Sequence, residues 1–289
     1  MKSCLSRSLL VLLVLALLGA SGGCATAFVY ERADRFANRW VGEYLELDGR
    51  QQAALEEAFA ALHQWHRNEQ LPVYARWLRG TADQLAAGGP YSEDELRALG
   101  MELGEFWRAL AGAALPSLVD LGASLSDDQV AALLQGLREQ QAKEFAEAAA
   151  RPDAYHQQRS ARSMERFMRR WAGRMTASQQ AAIADWAASL EPSRAASLEN
   201  RAGWIDALER ALADRVRPAD LQAAAEPLFV APSSRWAPSY AALVDRNTAR
   251  TTAFLAEFLA ALEPHQRARA VGRLERLAGE FEQLAGRGG

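Results

Sequence analysis

Apolar residues recur every three or four positions along most of the chain, the spacing that puts side chains on one side of an α-helix. Leu55, Phe59 and Leu62 form one such stripe, Tyr74, Trp77 and Leu85 a second, and Leu96, Leu99, Leu103, Phe106 and Leu110 a third. Further along, Met164, Phe167, Met168 and Trp171 share a face, as do Ile183, Trp186 and Leu190, then Trp204, Leu208 and Leu212. Two last helices are predicted from Tyr240 to Ala261 and from Pro264 to Leu284. Near the start, Phe28, Phe36, Trp40 and Tyr44 among charges suit an amphipathic helix whose aromatic face packs on the body or lies at lipid headgroups. Asp34 and Glu43, disfavoured near anionic lipid, favour packing. No stretch alternates in the manner of a strand, so the pattern predicts an all-α, multi-helix bundle.

Polar punctuation sets the helix boundaries. Asp48 with Gln51, Ser92 with Glu95, Ser126 with Gln129 and Thr176 with Gln179 each pair an N-cap residue with a side chain three positions on that reaches back to the cap backbone. Glu263 with Gln266 forms a further start. The acidic runs Glu93-Asp94-Glu95 and Asp127-Asp128 fall in first turns, where the helix dipole favours them, so they are not read as catalytic carboxylates. Pro72 fits a first turn, Trp65-His66-Arg67 ends or bends its helix, and Pro116 is expected to kink or break its own. The span from Glu226 to Ser239, with Pro227, Pro232 and Pro238, reads as the longest irregular piece. Its Leu228, Phe229, Val230 and Trp236 predict that it is docked on the surface.

The chain also repeats itself. Phe36 to Leu62 carries F-x-x-R-W-x-G and then Gln-Gln-Ala-Ala-Leu, and Phe167 to Leu190 carries the same frame ending in Gln-Gln-Ala-Ala-Ile. Four starts of the form apolar-x-x-x-Gln, at Gln51, Gln129, Gln179 and Gln266, fall two to each side of Arg151-Pro152-Asp153, with 78 and 87 residues between the glutamines of each pair. Unequal spacing excludes a simple solenoid and suggests an internal duplication, with helical halves at 24–150 and 151–289.

Residues 1–23 read as a lipoprotein signal: Lys2 and Arg7 lead into the apolar run from Leu9 to Leu18, and Ser21-Gly22-Gly23 precedes Cys24. That run is too short to cross a bilayer, which takes about 20 residues. Cys24 is therefore the expected lipidation site, with the membrane as a partner through its acyl chains. Ala25 favours the outer membrane, with the body facing the periplasm. Cys4 is the only other cysteine and leaves with the signal, so neither a disulfide nor a thiolate site is expected in the mature chain.

Charge and chemistry narrow the rest. The formal net charge is −3, and two units more negative without Lys2 and Arg7, which speaks to solubility and not to nucleic acid. No nucleophilic triad order, Gly-rich phosphate loop or separated carboxylate pair stands out, so no catalytic residue and no cofactor is assigned. His63 and His66, followed by Glu69, lack a placed fourth ligand and are read as structural rather than metal-binding; His156 and His265 stand alone. The feature most like a binding site is the basic face of Arg159, Arg162, Arg166, Arg169 and Arg170, whose guanidinium forks suit phosphates and carboxylates.

Tyr30, Tyr44 with Leu47 and Gln51, Trp65-His66-Arg67 to Leu71-Pro72-x-Tyr74, Arg170-Trp171 with Gln179, and Gln266-Arg267 together resemble a family of uncharacterised proteobacterial lipoproteins, with Glu31 where that family has Asn. The resemblance implies envelope location and a helical fold. A more distant similarity, through Leu125 to Gln129 and Met175 to Gln179, is to the Spy/CpxP-type periplasmic chaperones, which carry two Leu-Thr-x-x-Gln motifs per protomer. The expected role is non-enzymatic binding, a chaperone-like or scaffolding surface for periplasmic polypeptides. The alternative is a factor that handles anionic envelope lipid, lipopolysaccharide or glycan through the arginine face.

Overall fold

The N-cap residues Asp48, Ser92, Ser126 and Thr176 all hold an extended backbone, and each side chain accepts a hydrogen bond from the N–H three positions on, so the four predicted capping boxes form. They set the starts of several helices in a computed structural model that describes residues 30–286. The signal segment, Cys24 and Phe28 lie outside the described residues, as do the side chains of Asp34, Phe36 and Trp40. In chain order the helices are α1 (Ala33–Gly42), α2 (Gly49–Trp65), α3 (Leu71–Ala86), α4 (Glu93–Ser124), α5 (Asp127–Ala149), α6 (Asp153–Ala172), α7 (Ala177–Ser189), α8 (Arg194–Ala213), α9 (Pro218–Phe229), α10 (Pro238–Ala260) and α11 (Pro264–Gly286). A π-turn, His66–Gln70, joins α2 to α3, and a 3₁₀ turn, Pro232–Arg235, follows α9. Among the described residues there is no strand, so the bundle is all-α.

The apolar faces of the helices meet in three cores, which take in Leu85, Leu103, Met168, Ile183, Leu208 and Leu212 of the expected stripes. In the first, Leu115 and Val119 of α4 and Leu134 and Leu137 of α5 pack with Ile205, Leu208 and Leu212 of α8 and Leu221 and Leu228 of α9. The second joins Met168 of α6, Ile183 of α7, Phe254 and Phe258 of α10 and Ala270 of α11. The third sets Leu71, Ala75 and Leu78 of α3 against Leu277, Phe281 and Leu284 of α11. Helix contacts come in matched pairs: α2 packs on α4 as α7 packs on α10, α5 packs on α8 as α11 packs on α3, and α4 touches α10. The segments on either side of residue 151 thus exchange helices: α3 buries its apolar face on α11, and α8 buries its own on α5.

Two expectations about proline need correction. α4 runs through Pro116 without a break, because Pro116 and Gly112 sit on its exposed side and the carbonyl deprived of its donor faces water. Buried Ala111, Leu115 and Val119 hold the other side. Nor is 226–239 an irregular piece: Pro227 lies inside α9, and Pro232 and Pro238 occupy first turns of the segments they open, where the missing N–H costs nothing. The docking itself is as expected, since Trp204 Nε1 donates to the Leu228 carbonyl at 3.0 Å and Trp107 Nε1 to that of Phe229 at 3.2 Å.

Candidate functional site

The four start glutamines meet in two pairs. Gln51 and Gln129 lie amide to amide, each Nε2 donating to the other's Oε1 at 2.9 and 2.7 Å. Gln179 and Gln266 do the same at 2.7 and 2.9 Å. Every Oε1 also accepts from its own N-cap backbone N–H, at Asp48, Ser126, Thr176 and Glu263. Every Nε2 spends its second hydrogen on a carbonyl of the other helix's approach: Ser124, Glu46, Ala261 and Arg174 in turn. Each amide thus caps its own helix and fastens a second helix start to it. With all their hydrogens committed, the glutamines are structural joints and offer no hydrogen to a ligand.

The histidines near the π-turn form a clasp around Tyr30. The Tyr30 hydroxyl lies 3.1 Å from His66 Nδ1, its carbonyl accepts from His63 Nε2 at 3.2 Å, and its ring sits 4.4 Å from that of His63. The Arg67 guanidinium covers the Tyr30 ring at 5.7 Å, and Tyr74 meets His66 edge-on at 5.4 Å. Burial, helped by the charge of His63, pushes the His66 pKa down to about 4, so the ring is neutral at neutral pH. Burial likewise pushes Tyr30 and Tyr74 up to about 12. Inserting one residue into a helix makes such a π-turn, and here it turns His66 and Arg67 toward the N-terminal segment. Arg67 Nε, like Trp171 Nε1, is buried without an acceptor among the described residues.

The arginine face expected on α6 is present but is not uniform. Arg159, Arg162, Arg166 and Arg169 are exposed and Arg170 is half-buried. Arg169 pairs with Glu165 at 2.6 Å, whereas among the described residues no ion pair involves Arg159, Arg162 or Arg166. The opposite side is fixed by buried Met168 and by Met164 and Phe167 in the second core. What sequence reasoning missed is that α11 packs on α6 and brings more arginines beside Arg170. Arg269, Arg273 and Arg276 stand at i, i+4 and i+7 on α11, a helical spacing that could have flagged them.

Elsewhere several arginines are neutralised within the fold. Glu144, 6% exposed, receives Arg194 at 2.8 Å and Arg201 at 3.0 Å. Burial works to raise its pKa, but Gln140 and the two arginines outweigh it and hold the carboxyl below its ordinary value. Glu191 takes Arg246 and Arg250, each at 2.7 Å, and their hydrogen bonds bring it down to about 2. His265 is not isolated as expected, since its Nδ1 lies 3.3 Å from Glu263.

A model of a protein family of unknown function, DUF6279, matches residues 43–241, from the end of α1 to the start of α10. The chain belongs to this family. Most of the residues that carried the resemblance, from Tyr44 and Gln51 through Trp65-His66-Arg67 to Arg170-Trp171 and Gln179, fall inside the DUF6279 match, while Tyr30 and Gln266-Arg267 fall outside it. No curated protein and no solved structure matches the chain. Among the described residues, no single helix is long and apolar enough to cross a membrane.

Proposed function

We propose that the chain is a lipid-anchored outer-membrane protein, facing the periplasm, with a non-enzymatic role as a scaffolding or chaperone-like binding surface for periplasmic polypeptides. The observation that carries this reading is the row of exposed guanidiniums at Arg159, Arg162 and Arg166, joined to no carboxylate among the described residues and mounted on a helix whose other side is locked into a core. Guanidinium forks on a rigid helix take carboxylates bidentately at little entropic cost, which suits acidic stretches of an unfolded chain. Residues 1–23 act as a removed signal and Cys24 carries the acyl chains. A second reading, handling of anionic envelope lipid, lipopolysaccharide or glycan, is favoured by the arginines that α11 adds beside α6.

Metabolic labelling with palmitate tests the anchor, and label that survives Cys24→Ser refutes it. The chain from Ala25 onward keeps every packing contact described and tests the surface. It should slow the aggregation of unfolded periplasmic clients, and Arg162→Glu with Arg166→Glu should weaken that effect. Failure of both results rejects the scaffolding reading.

A further inference from the structure

We propose that Arg269, Arg273 and Arg276 of α11, with Arg170 and Arg174 at the end of α6, form a docking surface for the phosphates of anionic lipid headgroups in the membrane that anchors the chain. This rests on the reading of Cys24 as the lipidation site.

Three observations converge on it. First, Arg174 and the three α11 arginines carry charge that no ion pair among the described residues cancels, in contrast to the arginines held by Glu144 and Glu191. Burial and the neighbouring charges of Arg269, Arg276 and Arg170 depress the pKa of half-buried Arg273. The nearest carboxylate along the same face, Glu280, lies one turn past Arg276, and no ion pair among the described residues joins the two. Such like charges are held together at an electrostatic cost that a bound dianionic or anionic group would reverse.

Second, the cluster is built rather than adventitious. Gly173 stands between Arg170 and Arg174 at φ +88°, and the Arg269 side chain runs over it so closely that a Cβ there would lie 3.1 Å from its Cδ and 3.3 Å from its Nε. The bare glycine lets the α11 arginine approach the end of α6. Buried Ala270, Leu277 and Phe281 fix the other side of α11.

Third, the anchor joins the body at Tyr30, which packs against a core shared with the helix that carries the α11 arginines. Cys24 and Tyr30 are six residues apart, a reach of no more than ~20 Å even fully extended. Tyr30 is fastened by His63 and His66 and packs on the third core, which contains Phe281. Arg276 lies ~8 Å along α11 from Phe281, on the exposed side of the same helix. A tether this short holds the α11 side of the body within range of the headgroups, where the surface potential, which decays over ~10 Å, can act.

The test uses the chain from Ala25 onward, so that no acyl chain contributes, with vesicles of phosphatidylcholine alone or mixed with phosphatidylglycerol. Binding should require phosphatidylglycerol and fall with added salt. Arg269→Gln, Arg273→Gln and Arg276→Gln together should lower it about a hundredfold, at roughly fivefold per charge. Arg50→Gln, Arg210→Gln and Arg235→Gln, at exposed arginines off both α6 and α11, should leave most of it intact. Equal binding to both vesicle types, or full binding by the α11 variant, overturns the proposal. So does inorganic phosphate or poly-glutamate binding to the same arginines as tightly as the mixed vesicles, since the ligand is then a free anion or an acidic chain. If Cys24 takes no label yet the vesicle result holds, the anchor reading fails and the headgroup site stands.

Discussion

Replacing Gln266 by Leu removes one member of the buried amide pair and should be among the costliest single changes in the protein. Gln266 is fully buried. Without its amide the Arg174 carbonyl, the Glu263 N–H and one Nε2 hydrogen of Gln179 lose partners now at 2.7, 3.0 and 2.7 Å. Each stranded buried group costs about 1–3 kcal/mol, and the sum, allowing for partial relief, is about 4 kcal/mol, or roughly a 10 °C fall in Tm for a chain of this size. Urea unfolding followed by circular dichroism measures it. Gln179→Met combined with Gln266→Met strands fewer hydrogens than the single changes together, so the double-mutant cycle should return a coupling of about 1–3 kcal/mol. Gln266→Glu adds a sign. Its carboxylate would face two acceptors, Gln179 Oε1 and the Arg174 carbonyl, so its folded pKa rises above the unfolded ~4.3. The unfolded state then loses its proton first, and the variant's stability falls as pH climbs from that value through the raised one. A Gln266→Leu cost below about 1 kcal/mol, or strict additivity in the cycle, would refute the amide joint as a source of stability.

Other outcomes follow from the same contacts. Glu144→Gln leaves Arg194 and Arg201 without their shared carboxylate and should cost about 2–3 kcal/mol by thermal unfolding. In the unchanged protein the depressed Glu144 pKa means this contribution is present above ~4.3 and lost as pH falls through the lower folded value. His66, held down to about 4, makes the unfolded state the better proton binder between there and ~6.5. Stability should therefore drop by up to about 3 kcal/mol as pH falls across that window, and His66→Asn should flatten the slope in urea titrations. Gly173→Ala forces a side chain into a glycine-only backbone region with φ +88° and against Arg269, and should cost about 1–3 kcal/mol of unfolding free energy. Superposing residues 36–145 on 167–281 should match α2 with α7 and α5 with α11; a different helix correspondence would count against duplication.

The sequence showed which faces are apolar but not what covers them. Stripes such as Tyr74 with Trp77, or Met168 beside Phe167, are set by local periodicity and appear in the structure as expected. That α3 meets α11 rather than a neighbour depends on long-range packing, on which spacing is silent. The glutamine pairs were half legible. Separations of 78 and 87 residues grouped the right partners, but a capping box uses only Oε1 and gives no hint that Nε2 reaches across. At 226–239 three prolines read as an irregular segment, whereas Pro232 and Pro238 open helical segments and Pro227 lies inside α9. The α11 arginines were overlooked because their neighbours on α6 lie about a hundred residues earlier in the chain.

The exchange of helices also governs how the protein is made. A chain emerging N-terminus first presents Leu71, Ala75 and Leu78 some 200 residues before Leu277, Phe281 and Leu284 arrive to cover them. Until then α3 is an uncovered apolar stripe, the kind of surface on which unfinished chains aggregate. Completion is thus a late, all-or-nothing event: a ribosome that stops before α11 releases not a smaller working protein but one with its third core open.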